Sequence, residues 1–191
     1  MNKHTKVAEL VKNAYENSQE WFGKWMWKNH VPVVAKKTEE LSNRFGAKID
    51  ISVAGAWLHD FGDAFVHRNS AEHDSITVEK SRLVLEKAGY SREEIKEILE
   101  EVIAPHSCRD GFIPTQIEGK VMATADALAH ITTDFFVHFT WMHLPENKNF
   151  EEYREWVSKK IEHDFNKKIF FDEVRAEVKH RVEVLKEVFI K

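Results

Sequence analysis

Two adjacent residues, His59 and Asp60, close an almost entirely apolar run from Ile51 to Gly62. An imidazole and a carboxylate at the end of such a segment are costly to desolvate unless they are paired or bind a cation. A metal ion would satisfy both at once, and the chain holds matching groups elsewhere. His30 stands where a helix begins. Asp126 stands within Met122-Ala-Thr-Ala-Asp-Ala-Leu-Ala129, whose small residues let a second helix approach closely. Two imidazole nitrogens and two carboxylate oxygens suit Mn²⁺, Fe²⁺, Co²⁺, Ni²⁺, Zn²⁺ or Mg²⁺, with positions left for water and substrate. Each residue also has a plainer role. His30 is an ordinary helix-start residue, His59–Asp60 a helix-end pair favoured by the macrodipole, and Asp126 the buried partner of an arginine or a backbone group.

Nearly every segment that must position these groups has a helical pattern. Apolar residues run through 3–28 and end in an aromatic cluster, Trp21, Phe22, Trp25 and Trp27. The next helix starts near His30, with Pro32 in its first turn, where a missing N–H costs nothing, and stops at Gly46. Asp50 is placed to cap the following helix, which is apolar nearly all round and therefore central. Residues 71–88 form a helix stopped by Gly89. Ser91-Arg-Glu-Glu94 is a capping-box signature opening the stripe Ile95, Ile98, Leu99, Val102 and Ile103. A long helical pattern spans 115–143, a loop follows near Leu144–Asn147, and helices return from about 150, with Val174, Val178, Val182, Leu185 and Phe189 on one face.

The expectation is an all-α fold in one domain over 1–191, with a core at about 25–140 and peripheral C-terminal helices at about 150–191. Composition agrees: 42% hydrophobic and 31% charged residues suit a soluble globular chain, and 7 Gly and 4 Pro are few for a many-turned β fold. A net charge of -4 gives no basic field for a nucleic-acid polymer. Cys108 is the single cysteine, which excludes an internal disulfide and suits a reducing, cytoplasmic setting. No apolar run is long enough to span a membrane, and the N-terminus lacks a secretory apolar region.

The order His30, His59-Asp60, Asp126 on successive helices resembles the HD-domain superfamily of metal-dependent phosphohydrolases. Asn29-His30-Val31 is similar to that family's first-ligand segment, and Ala56-Trp-Leu-His-Asp-Phe61 to its His-Asp signature. Ile103-Ala-Pro-His-Ser107 and Ala123-Thr-Ala-Asp-Ala-Leu128 are similar to its later segments. The resemblance covers about 25–140. It implies an HD-type helical bundle, His30, His59, Asp60 and Asp126 as ligands of a divalent metal, and hydrolysis of a small phosphorylated substrate, of nucleotide type, by a metal-activated water. Branches of the family place histidines where His73 and His106 stand. These hold a second metal in some and meet the substrate phosphate in others, so one or two ions are expected. The resemblance also gives Asp63 the role of orienting or deprotonating the attacking water, although from the residues alone it is a turn residue after Gly62. Where relatives carry a lysine just beyond, this chain has Arg68 or His67 to meet phosphate. Two rival functions are a di-iron oxygenase of the same superfamily and a non-catalytic nucleotide-binding domain.

Trp25, Lys24 and Lys28 precede His30 by at most two turns and are candidates for a substrate-facing wall, with core packing as the plainer role. His130, His138, His143 and His163 lie beyond Asp126, where the resemblance supplies no ligand, and are expected outside the site. Cys108 beside His106 lacks the orienting third group of a nucleophile. Lys159-Lys160 and Lys167-Lys168 are expected on a solvated helix face. The aromatic stretch Phe135–Met142 is suited either to a homodimer partner or to the C-terminal helices.

Overall fold

A computed structural model describes residues 2–143 and 149–189. The loop expected near Leu144–Asn147, and the side chain of His143, lie outside the described residues. The chain is all-α, with no strand among the described residues, and no helix there is long and apolar enough to cross a membrane.

The first helical pattern divides into α1 (Lys3–Glu16) and α2 (Trp21–Asn29). Between them Asn17 turns its amide onto the Asn13 carbonyl, and Ser18 Oγ accepts from Glu20 N–H. Such side chains compete with the helical ladder, which is why the pattern breaks there. His30 is the hinge into α3 (Val31–Phe45), which carries Pro32 in its first turn and ends at Gly46 in the left-handed conformation. Helix α4 (Ile49–Leu58) follows and is central as expected, buried at Ile51–Ala56 and Leu58. Its N-cap is Lys48 and not Asp50, which lies in the first turn and instead pairs with His4.

A short 3-10 turn (Phe61–Ala64) leads to α5 (His73–Ala88). Helix α6 (Arg92–Glu97) opens on the Ser91–Glu94 capping box and continues as a π-helical stretch (Ile98–Ile103). The long pattern after it also divides, into α7 (Ile117–Thr132) and α8 (Phe135–His143). Thr133 is extended at the junction, and its hydroxyl takes the Phe135 N–H. Then come α9 (Phe150–His163), a π-helical turn (Asp164–Lys168) and α10 (Asp172–Phe189). Helices α3, α4 and α7 pack together as the centre of the bundle, with α1, α2, α5 and α6 around them.

The C-terminal helices cover α7 and α8. Thr124 in α7 donates its hydroxyl to the Lys168 carbonyl at 3.0 Å and accepts from Phe170 N–H at 3.1 Å, which pins the 164–170 segment to the core. The aromatic stretch of α8 serves this packing: Phe135, Phe136 and Met142 are buried, and Phe139 stacks on Trp156 of α9 at 5.0 Å. Val137 and Trp141 face outward.

Candidate metal centre

Four elements converge behind the end of α4. His30 enters from the α2–α3 hinge, His59 and Asp60 from the end of α4, and Asp126 from the middle of α7. Tyr15 in α1 holds the His-Asp turn by donating its hydroxyl to the Asp60 carbonyl at 2.8 Å. The four side chains expected as ligands meet. His30 Nε2 lies 3.1 Å from Asp126 Oδ1 and 3.3 Å from His59 Nε2, and His59 Nε2 lies 3.3 Å from Asp60 Oδ2. All four residues are buried.

Hydrogen bonding turns the imidazole lone pairs inward. A carbonyl oxygen can only accept, so His59 must donate through Nδ1 to Ala56 O at 2.8 Å, and His106 through Nδ1 to Ile103 O at 2.6 Å. In the neutral rings this leaves Nε2 bare. His106 Nε2 lies 3.8 Å from Asp60 Oδ1. Burial pushes His106 down to about 4, so the ring is neutral at ordinary pH. Burial also lowers His30, against the pull of Asp126. His59 is the opposite case: burial opposes its charge, but Asp60, Asp126 and the Ala56 carbonyl outweigh it and raise its pKa. The site therefore favours positive charge at His59 Nε2, which a proton or a metal ion would equally supply.

His130 is a ligand-type residue in this cluster that sequence reasoning placed outside it. Its Nε2 lies 3.4 Å from Asp126 Oδ1, and its ring stacks on His30 at 4.9 Å. Asp126 and His130 are four residues apart on one helix and so share a face; that spacing was the available signal. Lys168, expected in solvent, is buried with its ammonium on Asp126 Oδ2. Lys160 is also largely withdrawn from solvent, on Asp164, whereas Lys159 and Lys167 are exposed as expected. The spacing of Lys160, Asp164 and Lys168 placed them on one helix side, but nothing local indicated that this side faces inward. His138 pairs with Asp134 at the surface, and His163 bonds the Ser107 carbonyl, both outside the centre.

Asp126 Oδ1 has three imidazole nitrogens near it, from His30, His59 and His130 at 3.1, 3.8 and 3.4 Å, yet it accepts no hydrogen bond. Burial would raise this carboxyl, but Lys168, His130 and His30 hold it well below the ordinary range, so it is ionised. A buried anionic oxygen without a hydrogen bond, surrounded by imidazole nitrogens, offers the donor types of a cation site. Among the described residues two groups bring three ligand atoms within 4.8 Å of one another, His30–His59–Asp60 and His30–Asp126–His130. They share His30, whose Nε2 has a single lone pair and can serve one ion only.

The other candidates fall to one side. Arg68 clamps Asp60 through both nitrogens at 2.6 and 2.7 Å and places Nη1 3.2 Å from Asp63 Oδ2. Burial opposes ionisation of Asp60, but Arg68 and His59 hold it well below the ordinary carboxylate range. Burial raises Asp63, with Arg68 and His73 only partly offsetting it. His73 gives Nε2 to Asp63 Oδ1 at 3.0 Å and faces Asp74 with Nδ1 at 3.2 Å, so it orients Asp63 and does not join the cluster. Gly62 permits this contact: a Cβ there would meet Thr77 Oγ1 at 2.6 Å and the His73 carbonyl at 2.7 Å. Trp25 packs on Phe135, which covers His130 and His30. Lys24 and Lys28 are exposed on α2, and His67 is exposed with Nδ1 accepting from Asn69 N–H. Cys108 is buried, and burial pushes its thiol up to about 11, which removes the nucleophile alternative.

The centre is least covered on the Arg68 side. Side-chain exposure is 35% for Arg68, 19% for His106 and 10% for Asp60, against 2% for His30 and 0% for His59. A ligand from solvent therefore meets the guanidinium first. Comparison of the chain with protein-family models, with curated proteins and with solved structures yields no match.

Proposed function

We propose that this protein is a metal-dependent phosphohydrolase acting on a small phosphorylated substrate of nucleotide type. The observation that carries the reading is Asp126 Oδ1, buried and without a hydrogen bond among imidazole nitrogens. His30, His59, Asp60 and Asp126 would hold a single divalent cation, which when bound supplies Lewis acidity and a water of lowered pKa. The resemblance to HD-domain phosphohydrolases supports the same chemistry.

The chain's own groups supply the rest. Arg68, at the open side and fixed by two carboxylates, meets phosphoryl oxygens with a planar fork of donors. Asp63 receives the proton of the attacking water at Oδ2, which is ion-paired with Arg68 at 3.2 Å but accepts no hydrogen bond, while His73 fixes Oδ1. Its raised pKa makes it a better proton acceptor than an exposed aspartate. Phe135 and the packed α8 keep bulk water from the imidazole side.

The test is a phosphate-release screen over nucleoside mono-, di- and triphosphates and sugar phosphates, with Mn²⁺, Co²⁺, Mg²⁺, Fe²⁺, Zn²⁺ and Ni²⁺ in turn. Release from at least one substrate, lost in Asp126→Ala together with bound metal, is the expected result. No release from any substrate by metal-loaded protein, with Asp126→Ala binding metal normally, sinks the assignment.

A further inference from the structure

We infer that His130 is an additional metal ligand, held in register by Asp164 and Lys160, so that the C-terminal segment completes the centre. This rests on the metal site proposed above. The four-residue order that suggested that site contains no residue at this position.

The orientation of the ring carries the argument. His130 Nδ1 lies 2.9 Å from Asp164 Oδ2, and Asp164 is fully buried. Lys160 Nζ also stands 3.1 Å from Nδ1, but its ammonium already donates to both Asp164 oxygens. An ionised carboxylate only accepts, so the shorter contact to Oδ2 assigns the Nδ1 proton, and the neutral ring keeps a bare lone pair at Nε2. Lys160 fixes the carboxylate by reaching both of its oxygens at 2.9 and 3.0 Å. The opposite tautomer would set the Nδ1 lone pair against Asp164 Oδ2. A carboxylate donating no proton of its own, behind an imidazole aimed at a buried anionic oxygen, is the usual outer support of a metal-bound histidine.

The ring has little freedom to turn away. It lies parallel to His30 within 3°, with centroids 4.9 Å apart, and Phe135 covers it at 4.2 Å. The two parallel imidazoles place Nε2 at 3.1 and 3.4 Å from the same oxygen, Asp126 Oδ1. The His130 lone pair, facing an anionic oxygen, is repelled by it unless positive charge lies between them. Lys168 does not supply that charge there, because its ammonium is on the other oxygen, Oδ2.

The test uses the full chain loaded with Zn²⁺ or Co²⁺. X-ray absorption at the Zn edge of the wild-type protein should count three imidazoles, from His30, His59 and His130, whereas two would overturn the inference. Chelator competition should show His130→Gln losing at least about tenfold in Zn²⁺ affinity, and Asp164→Asn losing within the roughly 10–100-fold range of outer-shell partners. The Co²⁺ visible spectrum should change in both variants. Unchanged affinity and spectrum in both would exclude His130 while leaving the metal site standing. A wild-type protein that takes up no Zn²⁺ or Co²⁺ would remove the metal reading itself. If His130→Gln does not fold, the wild-type imidazole count decides alone.

Discussion

Lys168 places its ammonium on Asp126 Oδ2 from 42 positions along the chain, inside the core and beside the imidazole cluster. Breaking a buried pair by removing one partner leaves an uncompensated charge and costs about 3–5 kcal/mol. Lys168→Met should lose stability of that order in urea denaturation with chelator present. A divalent cation should restore part of it, because positive charge at Asp126 Oδ1 again compensates the carboxylate. An unchanged midpoint in chelator would contradict the pairing.

Asp63 is placed to take a proton and not to hold the ion. Asp63→Asn keeps the shape and removes the base, so kcat for phosphate release should fall by about 10²–10⁴-fold. Affinity for Mn²⁺ should be retained. Parallel loss of metal would instead make Asp63 a ligand.

The buried histidines set a pH window. His106 and His130 are each pushed down to about 4, by burial and, for His130, by Lys160 as well. An unfolded histidine titrates near ~6.5, so the unfolded chain binds more protons between these values. The stability contribution is therefore complete above about 6.5 and is lost as pH falls toward 4, at about 1.4 kcal/mol per pH unit for each ring. His59 and His73 are raised and act in the opposite direction, but above this window, where their contribution fades with rising pH. Urea midpoints in chelator at pH 4.5, 5.5 and 6.5 should climb in that order. A flat series would mean that these rings are not buried in neutral form.

Gly62 is where the His-Asp turn touches α5. Gly62→Ala forces a Cβ against Thr77 Oγ1 and the His73 carbonyl, and overpacking of this kind costs about 1–3 kcal/mol. The turn carrying Asp60 and Asp63 should move away from His73, so activity should fall more than thermal stability does. A fully active variant would show that the turn tolerates the shift.

Much of the helical plan was legible because local signals agree with it: Pro32 after His30, the stops at Gly46 and Gly89, the Ser91–Glu94 box and the apolar α4. The two unforeseen breaks, at Asn17–Glu20 and at Thr133, come from side chains that bond the nearby backbone. Such bonds compete closely with continued helix, so apolar periodicity alone did not reveal them.

By itself the sequence determined an all-α chain and the order His30, His59-Asp60, Asp126, three helix-borne positions whose residue types suit a cation. Tertiary structure decided which further groups reach that place. His73 was as plausible a ligand as His106, yet it turns to Asp63, because Gly62 lets α5 close on the turn. The sequence puts His130 outside the site and Lys168 on a solvated helix face, yet both meet Asp126. The reason is physical: helical spacing shows which residues share a face, but only packing shows what that face is pressed against. Here Thr124 clasps the 164–170 segment to α7 and turns a charged face of the tail into the wall of the site.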